Sequence, residues 1–207
     1  LSGNLNFPRR IHTTFFNAAV MPVQTRFVQS VRKALADLGI QAPIFFLKAD
    51  GGTFSDSAAD RHPVETILSG PAASMMGGLA LCRDTATTAL MLDIGGTTTD
   101  IGVLINGVPI LEPKGVDIGG LKTLVRGLKV VSVGAGGDSR VSLNGNELQV
   151  GPYRDGPPAC MGGPSPTPMD ALAVLGLFPQ GDREEAVQAV SPIAERLGRD
   201  ISDISRD

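Results

Sequence analysis

The chain has no tryptophan, one tyrosine and two histidines among its 207 residues, and aromatic residues make up 4% of it. That is too few for the stacking platforms on which single-stranded nucleic-acid binders rely. Positive charge is not in excess either. Lys and Arg number 18 against 21 Asp and Glu, a net charge of −3, so no broad basic face is available and nucleic acid is not an expected partner. Only two cysteines occur, Cys82 and Cys160. They lie far apart, without metal-ligand spacing and without the density of a disulfide framework, which predicts a reducing cytoplasm and structural thiols. No apolar run approaches the roughly 18 residues of a membrane-spanning helix, so no membrane partner is expected. The start, Leu1-Ser2-Gly3-Asn4-Leu5, lacks an initiator Met, a basic segment and a long apolar core. It does not read as a signal peptide, and a fragment or processed chain is expected.

What the chain does have is a core-forming composition, 42% hydrophobic and 19% charged, with 26 glycines and 15 prolines. Its length suits one large domain or two small ones and can bury a sizeable core without staples. Glycine and proline concentrate over residues 134–168, which reads as loop-rich.

The most informative stretch runs from Leu90 to Ile105. Apolar Leu90-Met91-Leu92 leads into Asp93. Ile94-Gly95-Gly96-Thr97-Thr98-Thr99 follows, then Asp100 and a second apolar run. This reads as strand, tight turn, strand. Glycines expose backbone N–H groups, and amides converging at a turn make a concave anion site. Asp93 and Asp100 supply oxygen ligands for a divalent cation or positions for a water. Carboxylates beside phosphate-cradling amides suggest a magnesium–nucleotide site. The same spacing also fits an ordinary hairpin turn rich in glycine and threonine. No Lys follows the glycines, so this is not a Walker loop, and it enters a strand rather than a helix, so it is not the dinucleotide fingerprint.

Elsewhere, residues 1–20 show little periodicity, and Arg9, Arg10 and His12 read as a solvated basic cluster. Pro22 is expected to open a helix over Val23–Leu38 with Val23, Phe27, Val31, Ala34 and Leu38 on one apolar face, closed by Gly39. Residues 43–49 read as a strand buried on both sides, with Asp50-Gly51-Gly52 following it. Those glycines either approach a ligand or form a plain loop. Residues 64–68 read as extended, followed by a small-residue helix over 72–81 with Pro71 in its first turn. Asn106-Gly107 predicts a two-residue turn, and Pro109 an edge strand, so residues 88–112 form a three-stranded antiparallel meander. Lys114, Lys122, Arg126 and Lys129 read as a solvated face or a contact to phosphate or a partner. A strand over 129–133 feeds a second glycine-rich loop, Gly134-Ala135-Gly136-Gly137-Asp138-Ser139. A hairpin turning at Asn144-Gly145, a helix beginning near Asp170, a helix over 182–197 and a fraying tail complete the pattern. Cys160 invites a nucleophile reading, but no His lies near it in sequence.

The Asp93 hairpin resembles the phosphate-binding hairpin of the actin, sugar-kinase and heat-shock ATPase superfamily. Together with Ser69-Gly70-Pro71-Ala72, the Gly134 loop, Gly151-Pro152, Gly156-Pro157-Pro158-Ala159-Cys160 and Asp170-Ala171, it resembles the A-type subunit of the hydantoinase/5-oxoprolinase family. The resemblance departs at Asp138, where many members carry a glycine, and at Met169, where a threonine is common.

The resemblance implies an α/β fold, an actin-like (ribonuclease H-like) ATPase lobe. Its mixed sheet would contain the antiparallel meander and flanking helices. Residues 1–85 would pack on the sheet, residues 86–207 would carry the phosphate hairpin, and the small-residue helix would lie at a hinge. It further implies ATP and Mg²⁺ as cofactors. Gly95, Gly96, Thr97, Thr98, Gly134, Gly136, Gly137 and Ser139 would bind the nucleotide, and Asp93 and Asp100 would serve as metal-binding and catalytic residues. The implied reaction is ATP-dependent ring opening of a cyclic amide such as hydantoin or 5-oxoproline. The superfamily's other hairpin is missing from residues 1–60, so a partner subunit or N-terminal lobe is expected and the chain alone is expected to be inactive. An ATP-dependent carboxylase subunit and a non-catalytic regulatory or assembly module stand as alternatives.

Overall fold

The structure, a computed structural model, describes residues 6–81 and 88–207. The expectations for Cys82 and for the first five residues lie outside them. The described chain is α/β, built from short antiparallel strand pairs and flanking helices. It divides into two compact units. One takes the chain up to Met91 together with Gly102–Val130, and the other takes Leu92–Ile101 and Val131–Asp207.

The first unit begins with α1, Phe7–Asp37. Asn6 caps it by accepting from the Arg9 amide at 3.2 Å, and Pro8 sits in the first turn, where its missing N–H costs nothing. Pro22 was expected to start this helix and instead lies inside it. An internal proline withdraws a donor and costs about 3 kcal/mol or more, so packing rather than local propensity holds the helix through it. The buried stripe is also not the one the apolar spacing indicated. Val23 and Phe27 are 61% and 53% exposed, whereas Thr13, Asn17 and Val28 are buried. The stripe was hidden because its first half is polar. The Thr13 hydroxyl donates to the Arg9 carbonyl at 2.7 Å and accepts from the Leu124 amide at 2.9 Å. The Asn17 amide donates to the Arg61 carbonyl and accepts from the Val64 N–H, both at 3.2 Å.

The basic cluster is likewise not merely solvated. Arg9 donates to the carbonyls of Lys114 and of Thr123, the latter at 2.9 Å, and His12 Nδ1 lies 2.9 Å from the Lys122 carbonyl. These bonds hold α1 against a small hairpin of β6 (Asp117–Ile118) and β7 (Leu121–Lys122). Lys114, Lys122, Arg126 and Lys129 are exposed, as a solvated face should be.

The strand expected over 43–49 is β1, Phe45–Leu47, paired antiparallel with β2, Thr53–Ser55. Phe45 is 62% exposed, so the strand is not buried on both sides. Asp50-Gly51-Gly52 is the turn of this hairpin: Gly51 has φ +81°, and the Asp50 carboxylate accepts from the Gly52 N–H at 3.0 Å. Beyond α2 (Asp56–Arg61), residues Pro63–Thr66 form a 3₁₀ turn rather than the expected extended run. Proline at its first position favours that conformation, and it buries Val64. Helix α3, Ser69–Leu81, places Ala72 and Met75 in a core with Leu104 and Leu128.

The meander forms as expected, from β3 (Ala89–Ile94), β4 (Thr99–Ile105) and β5 (Val108–Pro109), in that order, with β8 (Val130–Val133) also pairing with β4. Asn106 and Gly107 have φ of +49° and +73°, as a two-residue turn of matching twist requires. Pro109 pairs opposite Leu104 on the edge strand.

In the second unit β9 (Val141–Asn144) and β10 (Glu147–Val150) pair with Asn144 opposite Glu147. The turn is therefore Gly145-Asn146, one residue later than expected. Helices α4 (Pro168–Val174), α5 (Arg183–Leu197) and α6 (Ile201–Ile204) surround a core of Ala173, Val174, Ala186, Val190, Ile193 and Ile204. Asp182 caps α5, accepting from Glu184 and Glu185. The tail expected to fray forms α6 instead, because Ile204 and Ser205 are buried. No described helix is long and apolar enough to cross a membrane.

Candidate phosphate-binding site

The tip of the β3–β4 hairpin and the loop after β8 lie together in the second unit. The tip closes with the Gly95 N–H donating to the Thr98 carbonyl at 2.9 Å. The Gly134 loop is then stitched to it through main chain. Gly137 N–H donates to Gly95 O at 2.9 Å, and Asp138 N–H donates to Gly96 O at 2.8 Å. The Thr99 hydroxyl adds a 2.6 Å bond to the Ala135 carbonyl. Gly136 is what allows this approach. A Cβ there would stand 2.5 Å from Gly95 O and 2.7 Å from both Gly96 C and Thr97 N.

Ser139 is fully buried and braces the loop from within. Its hydroxyl accepts from the Gly136 N–H at 2.9 Å and donates to the Thr97 carbonyl at 3.4 Å. The amides of Gly136, Gly137, Asp138 and Ser139 are thus spent on the loop and on the hairpin. Among the described residues, the bonds at the tip leave the N–H groups of Gly96, Thr97 and Thr98 outside them. Thr97 and Thr98 are exposed, and Gly96 is half-buried. Gly134 is exposed beside Pro152.

Asp93 is exposed near the end of β3, and Asp100 is half-buried near the start of β4, where the Ser132 hydroxyl donates to it. Among the described residues no group of three or more His, Cys, Asp or Glu side chains could hold a metal ion. A site here offers at most a pair of carboxylates. That suits magnesium, which commonly takes one or two carboxylates, waters and substrate phosphates rather than an all-protein cage.

Sequence spacing did not reveal the charges beside the tip. The Asp138 carboxylate lies over Gly96, with Oδ2 2.6 Å from where a Gly96 Cβ would be. Arg154 Nη2 meets the same oxygen at 2.6 Å. Arg140 stacks over Tyr153 and pairs with Asp155 at 3.4 Å. The departure from glycine at 138 was a visible signal, but its partner, sixteen residues on in a glycine–proline loop, was not.

Cys160 is buried in the second unit's core, and its thiol is pushed up to about 12 by burial and by the neighbouring Asp170 carboxylate. A thiol that keeps its proton is not a nucleophile, so the catalytic reading of Cys160 is withdrawn. Asp170 is fully buried at the start of α4. It accepts from Ala159 N–H (3.1 Å), Cys160 N–H (2.6 Å), Thr167 N–H (2.8 Å) and the Thr167 hydroxyl (2.8 Å), and so fastens the glycine–proline segment. In the first unit Lys48 sits between Asp50 (3.4 Å) and Glu65 (3.2 Å). Burial pulls its ammonium down, but Glu65 and then Asp50 outweigh that and raise it above the ordinary value. This triad fastens the Asp50 turn.

The site is thus a main-chain-braced, glycine-rich hairpin tip with two carboxylates near it. Residues 10–207 match the hydantoinase/oxoprolinase family model, and the chain belongs to that family. It is 32% identical over 219 residues to the caprolactamase alpha subunit of Pseudomonas jessenii, covering 95% of this chain and 31% of that one. It is 29% identical to the 5-oxoprolinase of Saccharomyces cerevisiae, covering 85% of this chain and 14% of that one. Among solved structures it resembles the ATP-dependent caprolactamase of Pseudomonas jessenii, with a TM-score of 0.73, 29% identity, and coverage of 94% of this chain and 30% of that one. It also resembles a nucleotide-free acetone carboxylase, with a TM-score of 0.72, 26% identity, and coverage of 86% and 27%. The chain thus spans about a third or less of the proteins it matches.

Proposed function

We propose that the chain carries the phosphate-binding hairpin of an ATP-dependent enzyme that opens a cyclic amide, of the hydantoin, 5-oxoproline or lactam type. It would do so within a larger, actin-like, two-lobed assembly that works in the cytoplasm. The observation that carries this reading is the hairpin tip. Its carbonyls are tied down by the Gly134 loop, while the amides of Gly96, Thr97 and Thr98 stay outside the bonds formed among the described residues. Amides fixed in place before the ligand arrives need no reorganisation when charge develops on a phosphate.

ATP, when bound, would supply a phosphoryl group to the amide oxygen, which makes the carbonyl carbon a better electrophile for water, so that the ring C–N bond breaks and the nitrogen leaves with a proton. The chain's own residues bind and position. The tip amides and the hydroxyls of Thr97 and Thr98 take the phosphate oxygens. Regular antiparallel pairing continued back from the Gly95–Thr98 closure would bring Asp93 across from Asp100. From one face of the hairpin these two would hold Mg²⁺ or orient a water. The Ser132 hydroxyl fixes the Asp100 carboxylate for that task. Gly134, Gly136, Gly137 and Ser139 serve the nucleotide by holding the tip in register. The partner subunit or second lobe supplies the remaining half of the site, so the chain alone binds but does not turn over. In this reading α3 lies at the hinge between lobes.

A carboxylase subunit is a second reading, favoured by the acetone carboxylase likeness and by 30% identity over 126 residues to the acetophenone carboxylase gamma subunit of Aromatoleum aromaticum. The test of the main reading is calorimetry of magnesium–ATP with this chain and with Asp93→Ala. Micromolar to millimolar binding that the substitution abolishes supports it. No difference between the two proteins overturns the assignment of Asp93. ATP hydrolysis by the full-length enzyme then separates the readings: stimulation by a lactam or 5-oxoproline supports ring opening, and stimulation only by a ketone with bicarbonate supports carboxylation.

A further inference from the structure

Asp138 and Arg154 form an ion pair beside the hairpin tip, with the Asp138 carboxylate over Gly96. The carboxylate cannot drift far. Its own backbone N–H is bonded to Gly96 O at 2.8 Å, and its side chain is 19% exposed. It therefore holds negative charge over the turn in the space that Gly96, lacking a Cβ, leaves open. Arg154 differs in kind: its side chain is 45% exposed. Its Nε donates to the Gly156 carbonyl at 3.2 Å and its Nη2 meets Asp138, whereas Nη1 takes part in neither bond. A guanidinium so tethered keeps spare donors in a fixed fork, the geometry that suits a phosphate.

Resting on the nucleotide reading above, we propose that the Asp138 carboxylate is an internal anion occupying the approach to the hairpin amides, and that Arg154 is a phosphate-binding residue which an incoming polyphosphate takes over from it. Two like charges cannot share the approach to Gly96 without cost, so the ligand must either displace the pair or share its cation. The pair then selects for ligands with charge enough to win Arg154, a di- or triphosphate over a monophosphate or a carboxylate.

The proposal makes the two partners act in opposite directions, which a merely structural ion pair does not do. Calorimetry of magnesium–ATP and of magnesium–pyrophosphate is run on the chain, Asp138→Asn, Arg154→Gln and the double variant, with melting curves to show that each is folded. Asp138→Asn is expected to tighten pyrophosphate binding about tenfold, and Arg154→Gln to weaken it about tenfold. The double variant falls between the two single variants, since it loses both the repelling carboxylate and the phosphate-binding guanidinium. Weakening by both single changes, or no change in either, overturns the proposal. Asp93→Ala serves as the separate control. If the chain binds ATP and Asp93→Ala abolishes it while the Asp138 and Arg154 arms fail, only this inference falls. If no protein in the set binds either ligand, the hairpin reading falls and takes the inference with it. Should Asp138→Asn not fold, the Arg154→Gln arm and the ratio of pyrophosphate to phosphate affinity in the unaltered chain still decide. Equal affinity for the two anions, or undiminished binding by Arg154→Gln, overturns it.

Discussion

Gly136→Ala tests whether the two glycine loops act as one body. The added Cβ would stand 2.5 Å from Gly95 O, 2.7 Å from Gly96 C and 2.7 Å from Thr97 N. All three are main-chain atoms, so no rotamer change relieves the clash, and the loops must part by about an ångström to reach normal contact distance. Parting breaks or stretches the Gly137–Gly95 and Asp138–Gly96 bonds and the Thr99–Ala135 bond. At roughly 1 kcal/mol net for each, the expected loss is about 2–4 kcal/mol. Urea unfolding followed by circular dichroism measures it, with Gly77→Ala as comparison. Gly77 is an exposed helical glycine whose added Cβ meets nothing within 4 Å. There the same chemical change should stabilise by about 0.5–1 kcal/mol. A Gly136→Ala loss under about 0.5 kcal/mol, with magnesium–ATP binding unchanged, would refute the claim that the Gly134 loop rigidifies the tip.

Two further outcomes are expected. Replacing Asp170 by Ala strands three backbone N–H groups and a hydroxyl in the core of the second unit, and should cost about 3 kcal/mol or more in urea unfolding. A change below about 1 kcal/mol would contradict its role as a fastener. Cys160 holds its proton up to about 12 in the folded chain against 9.0 ordinarily, so the unfolded chain loses that proton first. The thiol's contribution to stability is therefore complete below pH 9 and is lost between pH 9 and about 12, by up to about 1.4 kcal/mol per pH unit. Cys160→Ala should lose that component of the alkaline slope, which unfolding at a series of pH values reads directly.

Much of the secondary structure was legible where local chemistry decides it. Asn106-Gly107 forced its turn, Pro109 took the edge, and Asp182 capped its helix. What could not be read depended on partners distant in sequence. Helix α1 runs through Pro22 and buries Thr13 and Asn17, because the backbones of Leu124, Arg61 and Val64 await them. An apolar-periodicity argument is blind to a stripe whose buried members are polar. For the candidate site, the Asp93–Asp100 stretch named the hairpin, and the glycines of 134–137 named the second loop. Their relation was not visible, since the second loop spends its amides on the first. Arg154 carried no signal, because an arginine in a Gly/Pro-rich run has no period to mark the side it faces.

The Asp170 carboxylate has a consequence for how the chain meets proteases. Residues 151–168 are by composition the segment most open to cleavage, rich in glycine and proline with little regular structure. Yet one buried side chain gathers the amides of Ala159, Cys160 and Thr167, and the Cys160 carbonyl accepts from Asp182 at 2.8 Å. A protease needs a stretch of extended, detached backbone, and this segment can offer one only if the start of α4 opens with it. The amides of Ala159, Cys160 and Thr167 should therefore exchange with solvent as slowly as those of the helices around them, and nicking there would report the opening of the start of α4 rather than the wandering of a loop.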